Sequence, residues 1–232
     1  MSNVSDIPTF ASRRAELQDY FDRTAFEAWR KLTSDAPVSR IRETVRKGRD
    51  EMRGTILSWL PANLSGLRLL DAGCGTGALA VEAARRGAHV VAIDVAMGLV
   101  EVAADRAPAE TRGRIDWRAG DMLDPALGAF DHVVAMDSLI HYATPDMVRA
   151  VAALAARTRG SVVFTFAPRT ALLSAMHLTG RLFPRADRAP AIVPAPGRRL
   201  AAAVTREGLA VRRTHRVACG FYTSEAMEVV TP

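Results

Sequence analysis

Three glycines spaced two apart, Gly73, Gly75 and Gly77, follow directly on the run Leu69-Leu70-Asp71-Ala72, and a helical pattern from Ala78 to Arg86 begins at once. A buried strand must therefore turn sharply into a helix at this point. Glycine meets both demands of such a turn, since it accepts positive φ and lets a ligand approach the backbone. The open amides at the helix start favour negatively polarised ligand groups.

The glycines alone do not identify the ligand, because Gly73, Gly75 and Ala78 also fit a dinucleotide fingerprint loosely. The acids around them narrow the choice. Asp71 stands two residues ahead of the first glycine, where a carboxylate repels a pyrophosphate but suits a cationic amino-acid moiety. The strand-like stretch Ala88 to Ile93 runs into Asp94 and Val95, and the Asp94 carboxylate can accept both ribose hydroxyls of an adenosine. A further acid appears in Gly120-Asp121-Met122, after the strand-like Arg114 to Ala119. Acids at the ends of three successive strands suit a ligand that is adenosine at one end and a charged amino acid at the other, which describes S-adenosylmethionine. Cys74, inside the glycine loop, is expected to act sterically rather than chemically.

The motifs Asp71-Ala-Gly-Cys-Gly-Thr-Gly77, Ile93-Asp94, Gly120-Asp121-Met122 and Phe130-Asp-His-Val-Val-Ala-Met-Asp137 together resemble the class I S-adenosylmethionine-dependent methyltransferases. That resemblance implies an α/β fold with a Rossmann-like seven-stranded sheet and helices on both faces. It also adds Met136 and Asp137 to the cofactor-binding candidates. The alternation along the chain agrees: strands near 68–72, 88–94, 114–119, 130–136 and 160–167, interleaved with helices near 77–86, 97–106 and 145–157. A short helix near 198–206 and strands near 209–217 and 220–229 finish the sheet, the last strand antiparallel by analogy with the class.

Ahead of this core lies an N-terminal helical arm, residues 1–60, set apart from a methyltransferase domain at 61–232. In the arm, Leu17, Tyr20, Phe21, Phe26 and Trp29 recur at near-helical spacing, and Ser34-Asp35-Ala36-Pro37 breaks the pattern. A second helix from about Ser39 to Leu60 is expected to bury Ile41, Val45, Met52, Ile56 and Leu60. It would display Arg40, Arg42, Arg46, Lys47, Arg49 and Arg53. Coming before the ligand-binding strands, the arm is placed either to cover the carboxyl ends of the sheet as a lid or to pack on a sheet edge as an extra layer. An insertion at about 169–197 combines a mostly apolar helix with a loop rich in Pro and Arg.

With 232 residues and 49% hydrophobic content the chain can bury a sizeable core. Two cysteines are too few for a disulfide framework and point to a reducing compartment. No apolar run reaches the roughly 18–20 residues of a membrane span, so a cytoplasmic protein is expected. The net charge of +6 admits nucleic acid, a membrane surface or an acidic substrate as partner. Neither Asn-Pro-Pro-Tyr nor Pro-Cys appears at the end of the fourth strand, which argues against methylation of nucleic acid. Metal-ligand spacings such as Cys-x-x-Cys are absent, so no protein-bound metal is implied.

The richest polar cluster, Asp137, Ser138, His141 and Tyr142, follows the fourth strand beside the expected methyl donor. Asp137 is expected to meet the amino group of the methionine moiety, through side chain or backbone. His141 is the candidate for orienting the acceptor or handling a proton, and Tyr20 is the phenol through which a lid could close on the substrate. Tyr142 fits a substrate contact or the core equally well.

Beyond the class, several stretches resemble the magnesium-protoporphyrin IX methyltransferases of bacteriochlorophyll and chlorophyll synthesis. They include Tyr20-Phe-Asp-Arg-Thr-Ala-Phe-Glu-Ala-Trp29, the basic run Val38 to Arg49, Met136 to Tyr142, Phe164 to Pro168, Leu182 to Pro190 and Gly220 to Ser224. The resemblance implies esterification of a propionate of magnesium-protoporphyrin IX by S-adenosylmethionine, with S-adenosylhomocysteine as product. Tyr20, Phe26, Trp29, His141, Tyr142 and Arg169 are the expected substrate contacts, with Tyr20 and His141 catalytic. It also implies a magnesium chelatase subunit as the partner handing over the porphyrin, and the apolar, arginine-flanked stretch 172–188 is a candidate for peripheral membrane contact. Another small-molecule O- or C-methyltransferase, or an RNA-binding one, is the alternative.

Overall fold

The computed structural model describes residues 10–23, 33, 39–111, 113–169 and 192–232. Helix α1 spans Phe10–Arg23 and α2 spans Arg40–Trp59. Strand β1 (Arg68–Ala72) leads through the glycine turn into α3 (Ala78–Arg85), followed by β2 (His89–Asp94), α4 (Met97–Arg106) and β3 (Ile115–Ala119). Then come β4 (Phe130–Ala135), α5 (Thr144–Ala155), β5 (Thr158–Phe166), α6 (Gly197–Arg206), β6 (Ala210–Cys219) and β7 (Tyr222–Val230). The expected elements are present within a few residues of their expected bounds.

The strands form one seven-stranded sheet in the order β3-β2-β1-β4-β5-β7-β6. The first five run parallel, and β7 runs antiparallel between β5 and β6. Side-chain alternation divides the core between the two faces. Leu70, Ile93, Val133 and Ala135 pack with α5 and α6 residues such as Met147, Leu154 and Leu200. Leu69, Val90, Ala92 and Val134 pack on the other face with Met52 and Ile56 of α2 and Leu79 of α3. Because both faces are covered, β1 and β5 read as nearly continuous apolar runs rather than alternating ones.

The chain leaves β1 in one direction, to β2 and β3, and then returns to place β4 on the other side of β1. This reversal opens a crevice at the carboxyl ends of β1 and β4. Helix α2 starts at Ser39, whose side chain accepts the Arg42 amide, and lies against the β6–β7 hairpin. The approach is close enough that a Cβ on Gly48 would stand 2.5 Å from the Tyr222 ring, and the Phe221 amide donates to Thr44 Oγ1 at 3.4 Å. Arg86 donates to the Leu57 carbonyl at 2.6 Å, satisfying an otherwise open group of the last turn of α2. Met52, Ile56 and Leu60 are buried as expected, but Ile41 is 52% exposed. It stands in the first turn, before the helix meets the hairpin at Thr44, so nothing in the sheet covers it. The insertion helix expected over 172–183 lies outside the described residues. Among the described residues no helix is long and apolar enough to cross a membrane.

Candidate active site

The glycine turn is bent back onto β2, with the amides of Gly73 and Cys74 both donating to the Ile93 carbonyl, at 2.8 and 3.0 Å. Gly73 has φ 86°, and a Cβ there would lie 2.2 Å from Cβ of Ser138. Gly77 caps α3 in the left-handed region at φ 79°, where a Cβ would lie 2.3 Å from the Trp117 ring. No side chain fits at either position. The Gly75 amide donates to one carboxylate oxygen of Asp94 at 2.9 Å and the Ala96 amide to the other at 3.0 Å, so the tip of β2 is locked to the loop.

Asp71 is 2% exposed, and its Oδ2 is buried with no hydrogen-bond partner among the described residues. Burial, and then the negative charge of Asp94, push its pKa up to about 7. A buried carboxylate oxygen left unmatched is costly, and a cationic ligand group would satisfy it. The cradle of small residues and this orphaned oxygen fit the ammonium end of S-adenosylmethionine. Burial and the carboxylates of Asp94 and Asp71 keep the Cys74 thiol protonated, in keeping with a steric role.

Around this turn opens a single cleft of about 660 Å³. Asp71, Gly73, Cys74, Gly75, Asp94, Val95, Met122, Met136 and Asp137 all line it. Gly77, Gly120 and Asp121 do not. Gly77 and Gly120 set the backbone, the Gly120 amide donating to the Asp94 carbonyl at 2.8 Å. One Asp121 oxygen accepts the Leu123 amide at 2.9 Å, and the other is engaged by Arg14 of α1. The β3-tip acid therefore ties down the arm.

Asp137 is the most heavily bonded acid of the site. Its backbone adopts φ 54°, the left-handed value that non-glycine residues seldom take. Its carboxylate accepts Arg49 of α2 at 2.6 Å, the Tyr222 hydroxyl at 3.1 Å and the Thr165 hydroxyl at 3.2 Å. Burial and the charge of Asp137 raise the Tyr222 phenol far above its ordinary range. The side chain expected to reach the methionine ammonium is thus committed largely to β5, β7 and α2. Nearby, Ser138 donates to the Ala72 carbonyl at 2.8 Å and holds the tips of β1 and β4 together.

Tyr20, from α1, and His141, from the short turn Leu139–His141 after β4, line the same cleft. Leu17, 4% exposed, anchors α1 beside them. Tyr142 is 3% exposed and part of the core, yet its ring borders the cleft; burial, then the charge of Asp121, push its pKa up to about 12. Phe26 and Trp29 lie outside the described residues. Arg169 is exposed and does not line the cleft. The arginines that do are Arg42, Arg46, Arg49 and Arg53 of α2. Two large apolar residues at the cleft, Phe221 and Ile192, are 55% and 41% exposed. Sequence reasoning assigned no role to Tyr222, Thr165 or Arg14. The signals available were Gly48, a glycine inside a helix, and the polar run Tyr222-Thr223-Ser224.

Comparison with known proteins agrees with this geometry. Residues 135–231 match the family described as "Magnesium-protoporphyrin IX methyltransferase C-terminus", and residues 69–160 match a general methyltransferase domain. The magnesium-protoporphyrin O-methyltransferase of Rhodobacter capsulatus is 50% identical over 94% of this chain and 97% of its own length. That of Synechocystis is 29% identical over 92% of this chain and 94% of its own length. The crystal structure of the Synechocystis PCC 6803 magnesium protoporphyrin IX methyltransferase with bound SAH superposes with a TM-score of 0.83 at 28% identity, covering 94% of this chain and all of that one.

Proposed function

The chain belongs to the magnesium-protoporphyrin IX methyltransferase family, and on that premise we propose that its cleft esterifies one propionate of magnesium-protoporphyrin IX with S-adenosylmethionine. The observation that carries this reading is one cleft with two unlike ends. One end is the glycine turn with Asp71, Asp94 and Val95; the other is Tyr20, His141, an arginine-bearing helix face and exposed apolar side chains. The second end suits a flat apolar macrocycle with carboxylate substituents.

S-adenosylmethionine, when bound, supplies an electrophilic methyl group and leaves as S-adenosylhomocysteine. Asp71 neutralises its ammonium, Asp94 takes the ribose, and the Gly73–Gly77 turn gives it room. The acceptor carboxylate is ionised at neutral pH, since its reference pKa is about 4, so no residue has to remove a proton. The chain's work is positional. His141 and Tyr20 hold the propionate in line with the methyl group, His141 as a neutral hydrogen-bond partner, while the apolar cover keeps water out. Magnesium enters as part of the substrate. The arm, residues 1–60, serves as the cover, with α1 pinned through Arg14 to Asp121. A partner that delivers the sparingly soluble porphyrin, such as a chelatase subunit, or a membrane surface would approach at the side where Phe221 and Ile192 are exposed.

The test is transfer of labelled methyl from S-adenosylmethionine to magnesium protoporphyrin by the purified protein. A base-labile monoester is the expected product; absence of any labelled porphyrin would overturn the reading. Flotation with liposomes checks the membrane contact.

A further inference from the structure

The cleft-facing arginines of α2 fall at positions 42, 46, 49 and 53, a spacing that puts them on one helical stripe. Like charges on adjacent turns repel, so a stripe of this kind calls for matching anions. Two matches lie within the chain. Arg49 is paired with Asp137 at 2.6 Å, and Arg53 with Asp50, the other acid of α2 at the cleft, at 2.9 Å. Glu43 and Lys47 pair with each other at 3.5 Å, and neither lines the cleft. At the Arg42–Arg46 end α2 brings two guanidinium groups to the cleft and no carboxylate. One turn apart, about 6 Å along the axis, they can share one carboxylate between them. Val45 lies between them on the cleft wall, and Phe221, exposed at the turn that meets Thr44, adjoins the same end of the helix.

Protoporphyrin IX carries two propionates, and only one can stand at the methyl donor. We propose that Arg42 and Arg46 bind the other one, making this enzyme a reader of dicarboxylates. The assignment rests on the porphyrin reading above and adds to it a reason for stopping at the monoester. After one transfer the product carries a single carboxylate. For a second transfer that carboxylate must move to the donor, and the neutral ester must then replace it against Arg42 and Arg46. A charged pair facing a desolvating, uncharged group is disfavoured. Selectivity of this kind comes from rejecting the wrong ligand as much as from holding the right one.

The experiment compares magnesium protoporphyrin IX with the isomer of the enzyme's own monoester product, in which the reactive propionate is free and the other is esterified. The wild-type protein should favour the diacid by about 10- to 100-fold in kcat/KM, mostly through KM, as expected for loss of a charge-assisted contact. In Arg42→Gln/Arg46→Gln the preference should collapse while S-adenosylmethionine affinity stays unchanged, and Arg42→Lys/Arg46→Lys should restore part of it. Equal use of both porphyrins by the wild type, a preference that survives in the glutamine variant, or a parallel loss of S-adenosylmethionine affinity would each overturn the assignment. Soret-band titration of the same two porphyrins reads the subsite without turnover. Charge-dependent binding with no methyl transfer would sink the proposed reaction and uphold the subsite, whereas no binding of either porphyrin would sink both.

Discussion

At the residue scale, the most consequential group is Asp71. Its folded pKa, raised to about 7, lies above the ordinary carboxylate value of 3.8. Between those values the folded protein holds a proton that the unfolded chain has lost. The contribution of Asp71 to stability is therefore fully present below pH 3.8 and is lost as pH rises through 7. A cationic ligand reverses the preference, because it favours the ionised form. Calorimetric titration at pH 6 in buffers of different ionisation enthalpy should show proton release as S-adenosylmethionine binds. Affinity should improve toward pH 7, and both effects should vanish in Asp71→Asn. His141→Ala should cut kcat by about 10- to 100-fold, the worth of a hydrogen bond to a charged group. Calorimetry should show S-adenosylmethionine affinity retained, and equal loss of both would place His141 with the donor instead. The donor acids were legible in the sequence because each ends a strand beside a glycine. The partners of Asp137 were not, since Thr165 and Tyr222 reach it only through the packing of β5 and β7.

At the element scale, α2 combines two roles that sequence patterning had offered as alternatives. Met52 and Ile56 bury its inner face against the sheet, while Arg42 to Arg53 face the cleft. The amphipathic pattern was legible. The choice between lid and layer was not, because a helical period fixes which residues share a face but not what lies opposite. Gly48 held the missing information. In a helix interior it costs about 1 kcal/mol relative to alanine, a cost that close approach to Tyr222 explains. Gly48→Ala should therefore destabilise the protein by about 1–3 kcal/mol in spite of its better helix propensity, because the added methyl meets Cβ and Cγ of Tyr222 at 2.8 Å. Urea midpoints measure this. The same variant should lose methyl transfer more than S-adenosylmethionine binding, since Tyr222 supports Asp137 at the acceptor end.

For the whole molecule, the alternation of strands and helices made the parallel core legible, and the antiparallel last strand followed from class resemblance rather than from any residue. The strand order places all donor contacts at one reversal of the sheet, so occupancy of that crevice should stabilise the entire fold. S-adenosylhomocysteine at a hundredfold excess over its Kd should add about 2.7 kcal/mol, a Tm shift of about 5–10 °C for a chain of this size. In Asp94→Ala, which loses hydrogen bonds to the ribose worth about 1–3 kcal/mol, scanning calorimetry at the same ligand concentration should record a markedly smaller shift. The hairpin that α2 rests on is the last part of the chain to be made, whereas Asp71, Asp94, Met122 and Asp137 are translated before it. On the ribosome the nucleoside pocket can take shape first, and the porphyrin-facing wall closes only when its final strand emerges. Chain order thus delays capture of a photoreactive pigment until the polypeptide is able to convert and release it.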